Sequence, residues 1–138
     1  KLGLSGTFWD RRPEYEILFN GQTIKTGAVT GASDEVEYIE FDAGYTTETA
    51  SLAIKLTNKQ DGDTVENADK TAILNDMLLN IVSLEIDEID LGQVPRNLNE
   101  YRPNHNDDVV KNCVNLGWNG TWSLTWTNPF YIWLLENM

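Results

Sequence analysis

The chain reads as an all-β protein, an antiparallel β-sandwich. Three observations lead there. Short stretches alternate apolar and polar residues with a period of two, as half-buried strands must. Turn signals separate them, the clearest being Asn20-Gly21 between two such stretches. A long run from Trp118 to Thr127 interleaves tryptophan with threonine and serine, a composition that favours strand over helix. Many short strands divided by turns pack as a sandwich, with a partly open barrel as the alternative and little helix in either.

The elements follow in order. Glu14 to Phe19 places Tyr15, Ile17 and Phe19 on one face, and Asn20-Gly21 then turns the chain back through Gln22 to Lys25. A glycine-rich loop spans Thr26 to Ser33. Val36 to Phe41 is the next strand; Val36 and Tyr38 share one parity and Ile39 and Phe41 the other, which predicts a bulge or burial on both faces. Ser51 to Thr57 is clean, with Leu52, Ile54 and Leu56 inward. Asn58 to Lys70 is a polar loop, and Ile73-Leu74 begins a short strand. Leu79 to Leu91 is strand-like with Val82, Leu84 and Ile86 inward and a parity break before Ile89. Gln93 to Asp108, with Pro95 and Pro103, is expected to be a long surface excursion. After Asn128-Pro129, Phe130 to Leu135 holds six consecutive apolar residues. The pattern does not assign this terminal segment to helix or strand; as a strand it needs cover on both faces, from a central position in the sandwich or from a neighbouring copy in a homo-oligomer.

Length and charge bound the function. At 138 residues the chain is within the usual range of one domain, residues 1–138, and buries roughly 65–70% of its unfolded surface without a staple. The net charge of −12 argues against nucleic acid, whose phosphates require a basic footprint, and against an anionic membrane surface. No apolar run reaches the ~18 residues of a membrane span. The single cysteine, Cys113, excludes an internal disulfide and reads as a small hydrophobe. Asn119-Gly120-Thr121 matches a glycosylation sequon. The chain opens at Lys1 without a leader pattern, so a processed start or a fragment is expected.

No catalytic constellation is evident. His105 is the only histidine and lies in a polar loop, Pro103-Asn104-His105-Asn106-Asp107, so the expectation is an exposed loop residue rather than a general base. Zinc would need several His or Cys ligands. Carboxylates are plentiful, but none stands in a setting that marks a glycosidase pair.

The stretch Glu48 to Gly92 runs from an alternating strand through a long acidic loop to a returning strand that closes at glycine. Through Thr57-Asn58-Lys59 and Asp76-Met77-Leu78-Leu79 it resembles the core of small calcium-dependent carbohydrate-binding modules of the xylan-binding kind. Two positions depart: Lys59 stands where the pattern places an acid, and Met77-Leu78 replaces an Arg-Asn pair. The resemblance implies a jelly-roll sandwich, no enzymatic activity, and a loop calcium that helps hold a sugar. Calcium takes six to eight oxygens, and Asn58, Asp61, Asp63, Asp69 and Asp76 could supply them if the loop folds back on itself. A lysine ammonium beside that ion costs electrostatic energy, and a solvated acidic loop is the plainer reading.

Sugar recognition also uses aromatic faces, on which pyranose C–H groups stack. Trp118, Trp122 and Trp126 share one strand face and read either as such a platform or, more simply, as sandwich core. Trp9 and Tyr101 lie in loop-like contexts and are expected to be exposed, so Trp9, Tyr101 and Trp118 are the candidate ligand-binding residues. The ending, Gly117 to Trp122 with Phe130 to Asn137, resembles that of uncharacterised proteins of large marine tailed bacteriophages. This second resemblance implies a virion or extracellular setting, with host-surface glycans as ligand. The alternative is a structural or assembly protein of the virion, capsid or tail accessory, with virion proteins as partners and no glycan.

Overall fold

The computed structural model describes residues 1–42, 48–91, 99–104, 108–111 and 113–137. Its strands are β1 (Leu2–Thr7), β2 (Glu14–Phe19), β3 (Gln22–Ala28), β4 (Glu37–Ile39), β5 (Thr49–Leu56), β6 (Val65–Glu66), β7 (Ile73–Asn75), β8 (Leu78–Ile86), β9 (Ile89–Asp90), β10 (Asn99–Pro103), β11 (Val110–Lys111), β12 (Asn115–Leu116) and β13 (Gly120–Thr127). A helix, α1 (Phe130–Asn137), follows, and one 3-10 turn covers Asp61–Asp63.

The strands form two antiparallel sheets. One has the order β12-β8-β1-β4, with β9 paired to β8; the other has the order β11-β10-β13-β5-β2-β3. β6 and β7 form a separate ribbon. The inward residues of the first sheet (Leu2, Leu4, Ile39, Leu79, Ile81, Leu84, Leu116) meet those of the second (Tyr15, Ile17, Leu52, Ile54, Leu56, Trp122, Leu124, Trp126) in one buried cluster. The sandwich reading is the observed fold.

Where alternation was clean, the elements match. β5 buries Ala50, Leu52, Ile54 and Leu56 on one face. The β2–β3 hairpin turns at Asn20 and Gly21 with φ of 50° and 81°, the left-handed pair this turn type demands.

Other elements differ for physical reasons. In β8 the inward set is Leu79, Ile81 and Leu84, with Val82 exposed. Ile81 pairs with Leu4 and Ser83 with Gly3, so Val82 is the extra residue of a bulge that resets the parity. The parity break expected before Ile89 is instead a two-residue turn at Asp87-Glu88, both at positive φ, from which β9 returns along β8. β4 needs no bulge. Ile39 is buried, and Tyr38 lies outside beneath the Lys1 ammonium, 4.8 Å from its ring centroid. Within the expected excursion, Asn99–Pro103 is a strand: Asn99, Tyr101 and Pro103 alternate inward, and proline ends the strand, where a missing N–H is tolerated. His105, Pro95 and the closing Gly92 lie outside the described residues.

Phe130 to Leu135 is the largest correction. It is helical, not a strand, so the argument for two covered faces no longer applies. A helical period buries Phe130 and Trp133, three apart, with Phe130 edge-on to Trp126 and Trp133 stacked on Phe130, and leaves Tyr131, Ile132 and Leu135 exposed.

Candidate functional site

Pairing places three connections at one end of the sandwich. Thr7 pairs with Leu78 and Leu116 with Leu79, while Tyr15 and Gly120 both pair with Leu56. Residues 8–13, 57–77 and 117–119 therefore cross between the sheets side by side. They form a first, a middle and a last arch. Gly120 lets the last arch close down, because a Cβ there would meet the Arg102 carbonyl oxygen at 2.5 Å.

The middle arch is fastened at both feet. At its start, Asn58 accepts from the Glu14 N–H (2.8 Å) and donates to the Arg12 carbonyl (2.9 Å), which ties it to the first arch. Lys59 is clasped by Asn119, whose Oδ1 accepts from the Lys59 N–H (2.8 Å) and whose Nδ2 donates to the Lys59 carbonyl (2.9 Å). The sequon asparagine is thus spent on the fold, and a glycan on its Nδ2 would break this clasp.

Two ion pairs complete the fastening. Arg11 donates from Nε and Nη2 to the two carboxylate oxygens of Asp63, and from Nη2 to the Asn58 carbonyl. Lys59 donates from Nζ to Asp76 Oδ1 (2.7 Å) and to the Gly117 carbonyl (2.6 Å), with its side chain only 2% exposed. Asp76 Oδ1 also accepts from Thr64 Oγ1 (2.7 Å) and the Met77 N–H (2.8 Å). Burial pushes both aspartates up, but hydrogen bonds outweigh it. Those from Arg11 and the Gln60 N–H hold Asp63 below the ordinary carboxylate value, and those from Lys59, Thr64 and Met77 do the same for Asp76.

The five residues expected to share a calcium ion do not converge. Asn58, Asp63 and Asp76 hold the partners just named, while Asp61 and Asp69 are exposed. Among the described residues no group of three or more His, Cys, Asp or Glu side chains is placed to hold a metal. The donor set does not fit calcium.

The aromatic candidates separate. Trp122 and Trp126 are buried and belong to the core, so the three-tryptophan platform does not exist. Trp118 lies in the last arch, half-buried, with the Lys59 ammonium 6.0 Å from its ring centroid. Trp9 lies in the first arch, 47% exposed, and its Nε1–H donates to the Asp63 carbonyl (3.0 Å). Both therefore stand against the same stretch of the middle arch, Lys59 to Asp63.

Tyr101 is not exposed; it faces the core from β10. Its hydroxyl donates to the Trp118 carbonyl and accepts from the Trp118 N–H (3.2 Å), so it positions Trp118 from below. Burial pushes the phenol up to about 12, against a smaller opposing effect of the hydrogen bond it accepts from the Trp118 N–H. Sequence reading missed Arg11, Tyr101 as a support, and Asn119 as a clasp. Period-two alternation of Asn99, Tyr101 and Pro103 was the available signal for Tyr101; nothing local marks the other two.

A cavity of about 660 Å³ opens at the opposite end, lined by Phe19, Phe41 and Trp126 among others and rimmed by Glu40, Glu85 and Glu88. None of Trp9, Tyr101, Trp118 and the five calcium candidates lines it.

The solved structure "vCBM60 in complex with galactobiose", a carbohydrate-binding module, shares this fold. The superposition covers 89% of this chain and 95% of that one, with a TM-score of 0.54 and 13% identity. The architecture is carbohydrate-binding-module-like. No family model and no curated protein matches the sequence.

Proposed function

We propose that the protein is a non-catalytic carbohydrate-binding domain and that the three-arch end is its glycan-facing surface. One observation carries the placement. Trp9 and Trp118, far apart in sequence, are brought against one short stretch of the middle arch, and each is held there. Trp9 is held through its indole N–H and Trp118 through both of its backbone groups. The Trp9 ring, already fixed, loses little further freedom when a sugar stacks on it, and the anchored backbone of Trp118 sets the place of the second ring. Exposed polar groups of the same arch, Gln60 and Asp61 among them, flank the rings for sugar hydroxyls. The shared fold with a module bound to galactobiose supports a saccharide ligand. A virion or other extracellular setting, facing a host-surface glycan, agrees with the phage-like C-terminal segment. The test is a glycan array probed with wild type, Trp9→Ala and Trp118→Ala. Binding that both substitutions weaken, in folded protein, supports the reading; equal binding by all three refutes it.

A second reading rests on α1. Tyr131, Ile132 and Leu135 form an exposed apolar set, the kind of surface that assembly with a copy or with virion proteins would cover. Sedimentation across a wide concentration range tests self-association, and a monomer throughout removes it.

A further inference from the structure

The middle arch needs a positive charge, and the chain supplies one. Lys59 Nζ lies within hydrogen-bond distance of two oxygens that come from different crossings: the Asp76 carboxylate at the far foot of the middle arch and the Gly117 carbonyl of the last arch. Thr64 reaches the same carboxylate oxygen from within the arch. Drawing together oxygens from separated chain segments is what a bound cation does in a loop site. Here the ammonium sits at that point with its side chain almost wholly removed from water. Such a charge is tolerable only when paired and hydrogen-bonded, and both conditions are met. Arg11 repeats the device at Asp63, a second carboxylate of the arch and a buried one. A divalent ion sharing the Asp76 carboxylate would stand close to a fixed positive charge and be repelled by it.

We propose that Lys59 is the built-in cation of this face, so that the three arches assemble, and the face holds its ligand, without calcium or another divalent metal. The statement about assembly stands by itself; the statement about the ligand rests on the glycan reading above.

Thermal melting of the full chain tests assembly without any sugar. Wild type is expected to melt at the same temperature in millimolar calcium as in chelator. Lys59→Met, which keeps an apolar stem and removes the charge, is expected to melt lower by about 10 °C. A wild-type melting temperature that rises with calcium and falls with chelator overturns the proposal, as does Lys59→Met melting with wild type. Should Lys59→Met fail to fold, Asp76→Asn gives the reading. It removes only the negative partner, and melting below wild type supports the ion pair, while melting with wild type overturns it. The ligand statement is tested by repeating the glycan array in chelator. A signal that persists supports it, and one that vanishes while melting stays unchanged overturns it. An array without any signal refutes the glycan reading and leaves the melting result standing.

Discussion

Trp118 and Trp122 lie four residues apart and do opposite things. Trp122 is fully buried, faces the other sheet from β13, and donates its indole N–H to the Cys113 carbonyl at 2.9 Å. Trp118 lies just before that strand begins, half-buried against Lys59 and pinned by Tyr101. Trp126 sides with Trp122, and Trp9 with Trp118. The difference teaches that residue type and spacing do not assign an aromatic ring its role. What decides is whether the backbone beneath it is a strand facing a second sheet or an arch passing between sheets.

The largest expected effect breaks the core side of this comparison. Trp122→Ala empties the centre of the sandwich and leaves the Cys113 carbonyl without its donor. It should cost about 3–5 kcal/mol by denaturant unfolding, enough to leave the domain marginal or unfolded. Asn119→Ala comes next, because it removes both bonds of the Lys59 clasp. A loss of about 2 kcal/mol is expected from two hydrogen bonds in a part-buried setting.

Tyr101→Phe sharpens the comparison, since it leaves the ring in the core and frees only Trp118. A cost of about 1 kcal/mol at neutral pH is expected. It carries a pH signature too. The folded phenol is pushed up to about 12, from an ordinary value of 10.0, so its contribution is fully present below pH 10 and is lost as pH rises toward 12. Melting temperatures measured across that window should fall less steeply for Tyr101→Phe than for wild type. At the acid end the sign reverses. Asp63 and Asp76 are held below their ordinary value of 3.8, so their stabilisation is present above that pH and lost as pH falls through the lower folded values. An acid titration in which Asp76→Asn flattens the loss of stability checks this.

The smallest effect on stability belongs to Trp9→Ala, within about 1 kcal/mol, because the ring is exposed and loses one hydrogen bond. Glycan affinity is expected to fall by about tenfold or more in the same variant, the behaviour of an aromatic anchor at a binding surface. A tryptophan that matters to binding but not to folding, set beside one that matters to folding, completes the comparison.

Alternation identified β5, β2 and β13, and Asn20-Gly21 identified its hairpin, because these depend on near neighbours along the chain. The Asp87-Glu88 turn escaped notice because Glu88 occupies a positive-φ position that a turn of this kind usually gives to glycine or asparagine. The bulge at Val82 escaped because it exists only relative to the register with β1. The final helix was hidden by a run apolar on every side, from which period cannot be read. At the site, Trp9 was identifiable as an aromatic residue outside the regular strands, but local pattern starts the last strand at Trp118 and leaves Tyr101 exposed, whereas the strand begins only at Gly120 and Tyr101 is buried.

From the sequence alone came the all-β character, the polar loop that begins at Asn58, the strongly acidic charge, and the oddity of a lysine at position 59. These are matters of composition and local period. Only the tertiary structure decided that this loop spans the two sheets, that its carboxylates answer to Arg11 and Lys59 rather than to one another, and that Trp9 and Trp118 meet it from either side. Each of those partnerships joins residues separated by many others, and strand register, which no local pattern encodes, brings them within hydrogen-bond distance.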